Sequence, residues 1–215
     1  RTWGHRVAEN SMGFREREFA VPKPPGLKRI MILGDSLTWG VGLSVEERYS
    51  NLLEQRLRRD GVEVEVLNFG LPGLSTAGEL EVLREHLDST GSDRIVVGFC
   101  INDPQEKNQD WSVELDGWQW LFRFCALLDR IFLSETAWLA RNGLVGFLVS
   151  RGAVPDWLTA LDRAYQPQAE QWLGFGEALR EIKTLSDQRG LPAPLFVPLL
   201  SGDGDFVAPT RELAY

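Results

Sequence analysis

Three apolar runs in the first half of the chain each lead into a loop of glycine and polar residues, and this repeat constrains the fold most. The runs cover residues 30–33, 62–66 and 95–101, with helix-like segments between them. Short apolar runs bounded by turn residues are typical of buried strands. A strand–helix–strand–helix–strand order predicts a parallel α/β sheet. The loops after its strands should then meet at one edge of the sheet.

Each of the first two loops precedes a segment with the signals of a helix start. Ser44 with Glu47, and Thr76 with Glu79, have the spacing of capping boxes, in which a serine or threonine N-cap pairs with a glutamate three residues on. Apolar residues with helical spacing follow: Tyr49, Leu52, Leu53 and Leu57 in the first helix, and Leu80, Leu83 and Leu87 in the second. The alternation over 62–66 predicts a strand near a sheet edge, whereas 95–101 predicts a central strand.

The rest of the chain divides into a lead-in, an insertion and a return to the α/β pattern. Residues 1–28 contain three prolines and no sustained period, so we predict an irregular lead-in before an α/β domain over 29–215. Residues 105–165 contain five tryptophans, and charged residues interrupt every apolar window there, which disfavours a membrane span. We predict an inserted helical subdomain, either a substrate lid or a stabilising cap. A helix over 171–189 and a strand over 194–200 complete the pattern.

Length and charge narrow the class of protein further. The 215 residues suffice for one domain with a substantial core. The formal net charge of −8 disfavours nucleic acid and anionic membranes as partners. Cys100 and Cys125 both lie in apolar runs, so we expect buried, unpaired thiols. The chain starts at Arg1 without a signal-type segment, which leaves its compartment open, and the oligomeric state is open as well.

The candidate catalytic residues lie in the three loops. Ser36 follows the first strand between glycines, and a serine hydroxyl can act as a nucleophile. Gly73 permits close approach to a backbone N–H, and Asn102 offers a carboxamide donor. Acyl transfer needs such donors for the oxyanion that develops on the attacked carbonyl. A flavodoxin-like nucleotide or phosphate binder is the alternative, although the chain has no P-loop lysine and no Gly-x-Gly-x-x-Gly.

These loops resemble the sequence blocks of the SGNH (GDSL) hydrolase family. Residues 34–37, Gly-Asp-Ser-Leu, match its first block, while 68–73 and 98–103 are similar to its second and third. The resemblance implies a three-layer α/β/α sandwich with a mainly parallel, flavodoxin-like sheet. It also implies hydrolysis of a small-molecule ester, whether of a lipid, an aryl alcohol or an acetylated sugar, without a metal or organic cofactor.

The resemblance also implies roles for individual residues. Ser36 takes the position of the nucleophile. The backbone N–H groups of Ser36 and Gly73 and the side chain of Asn102 take the positions of the oxyanion hole. Contacts with the substrate are expected from the neighbours of these residues, Asp35, Leu37 and Asp103.

One departure concerns the general base, which the family takes from an Asp-x-x-His block near its C-terminus. This chain has two histidines. We expect His5 in the lead-in and His86 on a helix surface, so neither is a strong candidate. Asp203 and Asp205 follow the fourth predicted strand but have no histidine three residues on. We expect the block to follow Tyr215. Two alternatives stay open: a non-catalytic binding or accessory member, and an acyltransferase that uses a sugar hydroxyl as acceptor.

Overall fold

The structure, a computed structural model, describes residues 7–104, 147, 150–152 and 157–199. The chain divides into two compact units, one formed by Arg1–Lys107 with Glu170–Tyr215 and the other by Asn108–Ala169. Several features predicted from the sequence lie outside the described residues: His5, Cys125, Asp203, Asp205 and most of the insertion over 105–165.

The first unit contains a parallel four-stranded sheet. Its strands are β1 (Lys28–Gly34), β2 (Val64–Asn68), β3 (Arg94–Phe99) and β4 (Leu195–Pro198). They lie in the order β2-β1-β3-β4, and all three pairings are parallel. The predicted parallel α/β sheet is therefore confirmed. Within the described residues β2 lies at an edge, as its alternating side chains predict, and β3 is central, as its continuous apolar run predicts.

Five helices are described. They are α1 (Ser36–Trp39), α2 (Tyr49–Arg59), α3 (Thr76–Thr90), α4 (Trp157–Ala164) and α5 (Glu170–Gln188). The helix predicted over 171–189 matches α5 to within one residue at each end. In the second unit, α4 is the described helix of the predicted insertion. Among the helices of the described part, none is long and apolar enough to span a membrane.

α2 begins later than the sequence predicts. The capping box assigned to Ser44 and Glu47 is wrong as a helix start, because the helix begins at Tyr49 with Arg48 as its N-cap residue. The Ser44 N–H does donate to Glu47 Oε2 at 2.9 Å. This pair therefore closes a separate turn before the helix.

α3 begins next to the second loop, and its predicted cap is wrong by one residue. Ser75, rather than Thr76, is the N-cap, and its side chain accepts the N–H of Gly78. Glu79 does not turn back to the cap: it is fully buried, and neither of its carboxylate oxygens has a hydrogen-bond partner among the described residues. The apolar stripe of this helix is buried as predicted: Leu80, Leu83 and Leu87.

Side chains of the central strands alternate between two cores, which makes three layers. On one face, Met31 and Leu33 of β1 join the buried residues of α3 and α5. On the other face, Ile32 joins valines of β2 and β3 and the apolar side of α2. The predicted α/β/α sandwich is therefore confirmed. Its two helix layers leave the carboxyl edge of the sheet for the loops.

The described part of the lead-in, residues 7–27, contains no helix or strand. It forms a turn in which Asn10 Oδ1 accepts the N–H groups of Met12 and Phe14, each at 3.1 Å. The turn directs Phe14 into the core, where its ring centroid lies 4.5 Å from that of Phe69. An irregular segment is thus anchored to the second loop.

Candidate active site

The loops that follow three adjacent strands meet at the carboxyl edge of the sheet. Gly34, the last residue of β1, pairs with Gly98 of β3. The Leu71 N–H donates to Gly34 O at 3.0 Å and ties the second loop to the first. The Thr76 N–H donates to Asp103 O at 3.3 Å and ties the start of α3 to the third loop. The three loops predicted to meet are therefore neighbours in the structure.

Ser36 is the first residue of α1. The N-cap Asp35 is 1% exposed, and its Oδ1 accepts the Leu37 N–H at 2.9 Å. The Ser36 hydroxyl donates to the other carboxylate oxygen, Oδ2, at 3.3 Å. Gly40 ends the helix with a φ of 82°. Ser36 is half-buried, and its hydroxyl lies beside a buried carboxylate at the start of α1.

Thr38 packs α1 directly onto three glycines at the strand ends. A Cβ added to Gly70 would lie 2.7 Å from the backbone nitrogen of Trp39 and 2.8 Å from Thr38 Cγ2. One added to Gly98 would lie 2.6 Å from Thr38 Oγ1, and one at Gly34 would overlap the same side chain. Only glycine leaves room for α1 at this distance from the sheet. Sequence reasoning assigned Gly34 and Gly70 to turns and Gly98 to a strand, and it missed this contact.

Hydrogen bonds fix Thr38 from both sides. Its Oγ1 lies 2.9 Å from Tyr49 Oη, and its carbonyl accepts from Asn68 Nδ2 at 2.6 Å. The same amide group donates to Ser50 Oγ at 2.9 Å, while Asn68 Oδ1 accepts the Gly70 N–H at 2.9 Å. Burial raises the pKa of Tyr49 to about 12, so its phenol is neutral at ordinary pH. Asn68 therefore joins α1, α2 and the second loop, a role that sequence reasoning did not assign.

The other two candidate residues lie in the second and third loops. Gly73 is exposed with a φ of 76°, and no atom of the described residues lies within 4 Å of a Cβ added there. Asn102 is half-buried in the turn after β3. That turn is closed by Asp103, whose Oδ2 accepts the Cys100 N–H at 3.1 Å and whose N–H donates to Cys100 O at 2.9 Å.

Of the three residues expected to contact substrate, Leu37 is the exposed one. Its side chain is 41% exposed, whereas Asp35 and Asp103 are each 1% exposed. Both carboxylates accept backbone N–H groups of their own loops. Their burial favours a role in holding the loops. Contact of any of the three with substrate stays a prediction.

A group of buried acids lies behind the loops. Burial raises the pKa of Glu79 and of Asp103 well above ordinary carboxyl values, and the charge of Asp35 adds to both shifts. Sequence reasoning missed this group because it assigned Glu79 to a cap. Among the described residues, no cluster of histidine, cysteine and acidic side chains could hold a metal ion.

Two further side chains border these loops: Cys100 follows β3 in the third loop, and His86 packs against Phe69 of the second loop. Cys100 is a buried free thiol, as predicted, and burial raises its pKa to about 12. The surface position predicted for His86 is wrong: its side chain is 14% exposed because it packs against Phe14 and Phe69, with ring centroids 5.2 and 5.6 Å away. At 1.5 Å per residue, it also lies about 15 Å further along α3 than Thr76, away from the end of the helix that contacts the third loop.

Comparison with known proteins identifies the family. Residues 32–183, more than half of the chain, match the GDSL-like Lipase/Acylhydrolase family. The chain therefore belongs to this family, and the SGNH (GDSL) membership expected from the three sequence blocks is confirmed. An "Arylesterase" of Vibrio mimicus is 30% identical over 76 residues, which cover 35% of this chain and 38% of that protein.

Two solved structures are among those similar to the chain. One is "TesA", 27% identical, with a TM-score of 0.34 over 36% of this chain and 43% of that one. The other is "AlinE4, a SGNH-hydrolase family esterase", 24% identical, with a TM-score of 0.35 over 80% of this chain and all of that one. The matches with the arylesterase and with TesA each span less than half of the relative's length.

Proposed function

We propose that this protein is a serine ester hydrolase in which Ser36 is the nucleophile. Its membership of an acylhydrolase family supports ester chemistry. The observation that carries the residue assignment is the meeting of three strand-end loops beside the half-buried Ser36. This is the edge of a parallel sheet at which α/β proteins bind their ligands.

The proposed reaction has two steps. Ser36 Oγ bonds to the ester carbonyl carbon and loses its proton to a base, and the bond to the alcohol oxygen then breaks as the alcohol leaves with a proton. Water next attacks the acyl-serine, which releases the carboxylic acid and restores the hydroxyl. The sequence contains no Asp-x-x-His, so the base of this reaction is not assigned to a residue of this chain.

We assign the oxyanion hole to the backbone N–H groups of Ser36 and Gly73 and to Asn102 Nδ2. The exposure of Gly73, and the open space around it in the described part of the chain, support access of a substrate carbonyl to its N–H. Asn102 follows β3, which pairs with the strand that leads to Ser36. In such sites the loss of one donor typically lowers kcat by about 10²–10³.

Labelling with a fluorophosphonate tests the assignment of the nucleophile. The complete protein should react, and its Ser36→Ala variant should not. Ser89→Ala is the matched control, because Ser89 is an exposed serine near the far end of α3 and should label like the wild type. Labelling that persists in Ser36→Ala, or no labelling of the wild type, would contradict the proposal.

Hydrolysis of p-nitrophenyl acetate, with and without a sugar acceptor, tests the reaction itself. A hydrolase releases acetate in both conditions, whereas an acyltransferase yields acetylated sugar. A chain that is labelled at Ser36 but turns over no ester under either condition would contradict the enzymatic function and favour a binding role.

A further inference from the structure

We propose that Arg15, in the irregular lead-in, is a positioning residue for Ser36 because it holds the end of α1. The inference rests on the proposed function, in which Ser36 attacks an ester. Arg15 lies 21 residues before Ser36 in a segment with no helical or strand pattern. The contacts that carry the inference are long-range, and no motif in the sequence indicates them.

The guanidinium of Arg15 donates to three backbone carbonyls just after the nucleophile. Nη1 donates to Trp39 O at 3.3 Å and to Gly40 O at 2.8 Å, and Nη2 donates to Leu43 O at 2.7 Å. The Arg15 Cζ also lies 4.7 Å from the centroid of the Trp39 ring. The last carbonyls of a helix lack partners within it, and a positive charge near them is favourable. Arg15 therefore acts as the C-terminal cap of α1.

α1 is only four residues long, so its C-terminal end cannot move without also moving Ser36 at its N-terminal end. The N–H groups of Gly40 and Val41 donate to Ser36 O at 3.0 and 3.2 Å. Gly40, which Arg15 binds, is thus hydrogen-bonded directly to the nucleophilic residue. Asp35 caps the N-terminal end of α1, and Arg15 caps its C-terminal end. A displacement of the C-terminal end of α1 is therefore transmitted to Ser36 across one helical turn.

Arg15 is itself firmly held. The residue is 1% exposed, and its carbonyl accepts a hydrogen bond from Nη1 of the fully buried Arg48. The neighbouring Glu16 accepts the backbone N–H of Asn68 at 3.0 Å through Oε2, which also lies 3.4 Å from Arg48 Nη2. The lead-in is therefore bonded to both β2 and the start of α2. Arg15 projects from a fixed backbone onto the helix that carries Ser36.

A second buried arginine provides a matched control. Arg29 is fully buried and donates to Glu65 Oε2 at 2.6 Å, to Thr90 O at 2.6 Å and to Ala20 O at 3.0 Å. It lies near the start of β1, at the opposite end of the strand from Ser36. Loss of Arg29 should destabilise the fold in the same way as loss of Arg15 but leave α1 in place.

The test compares Arg15→Ala and Arg15→Lys with Arg29→Ala and Arg29→Lys in the full chain. Rates of p-nitrophenyl acetate hydrolysis and fluorophosphonate labelling are measured below the lowest Tm and normalised to the folded fraction. We expect Arg15→Ala to lower kcat and the labelling rate by about 100-fold with little change in KM, since a misplacement of about 1 Å costs about that much. Arg15→Lys keeps the charge but not the planar fork, and its kcat should be intermediate.

The Arg29 variants should have a lower Tm than the wild type but a kcat within about threefold of it. Equal kcat in folded Arg15 and Arg29 variants would overturn the proposal, as would wild-type kcat in Arg15→Lys. If Arg15→Ala does not fold, Arg15→Lys decides the test because it retains the buried charge. Failure of the proposed function would look different: Ser36→Ala would then hydrolyse and label like the wild type.

Discussion

Replacing Gly70 by alanine probes the contact between α1 and the sheet. The added Cβ would lie 2.7 Å from the Trp39 backbone nitrogen, and 2.8 and 2.9 Å from Thr38 Cγ2 and Cβ. To reach an ordinary separation, α1 would have to move away by about 0.7 Å or more. Thr38 cannot swing aside, because Tyr49 and Asn68 bind it from two sides.

The expected losses of stability and of labelling rate follow from this displacement of α1. Overpacking of this kind costs about 1–3 kcal/mol of unfolding free energy. Movement of a nucleophile by nearly 1 Å is expected to slow its reaction by about 10–100-fold. Gly70→Ala should therefore lower both the free energy of unfolding, measured in urea, and the rate of fluorophosphonate labelling at Ser36.

Gly174→Ala is the matched control for this substitution. Gly174 lies within α5, and no atom of the described residues falls within 4 Å of a Cβ added there. Alanine in a helix interior is favoured over glycine by about 1 kcal/mol, so this variant should be more stable and should label at the wild-type rate. Wild-type stability and labelling in Gly70→Ala would refute the close-packing argument.

Three further predictions concern neighbouring side chains. Asn102→Ala should lower kcat by about 10²–10³ with little change in KM, measured by steady-state ester hydrolysis, because one oxyanion donor is lost. Tyr49→Phe should cost about 0.5–1.5 kcal/mol in urea unfolding because Thr38 Oγ1 loses its phenolic partner. Burial raises the pKa of Glu79. The folded state therefore keeps a proton that the unfolded state releases above about pH 4.3. The free energy of unfolding should accordingly fall as the pH rises above that value. Glu79→Gln should flatten that dependence and be more stable than the wild type at pH 7 in urea unfolding.

Each of these predictions has a result that would contradict it. Unchanged kcat in Asn102→Ala would remove that side chain from the oxyanion hole. Tyr49→Phe with wild-type stability would mean that its hydrogen bond to α1 contributes nothing net. A wild-type pH dependence in Glu79→Gln would show that another group sets the slope.

The sheet and the meeting of its loops could be predicted because their signals are local. The apolar runs that became β1, β2 and β3 specify strands through their own residues, and parallel order then brings their carboxyl ends together. Ser36, Gly73 and Asn102 were found as candidates because each lies directly after one of these runs or in the loop that follows it. No long-range contact had to be known in advance.

The side-chain contacts that hold these loops in place could not be predicted, because the residues that make them are distant in sequence. Arg15 reaches Gly40 and Leu43 from a segment without periodicity, and only the folded backbone shows that their carbonyls face it. His86 was assigned to the surface because helical spacing carries no information on the Phe14 turn that covers it. Tertiary packing also determines where α2 begins, which the capping signal at Ser44 does not reveal.

The most direct test of the central claim is to locate the phosphonate adduct by mass spectrometry of peptides from the labelled complete protein. The account predicts a single adduct on Ser36, in the peptide that contains Gly34 and Gly40. An adduct confined to another serine, or a complete and folded protein that forms none, would contradict the assignment of Ser36 as the nucleophile.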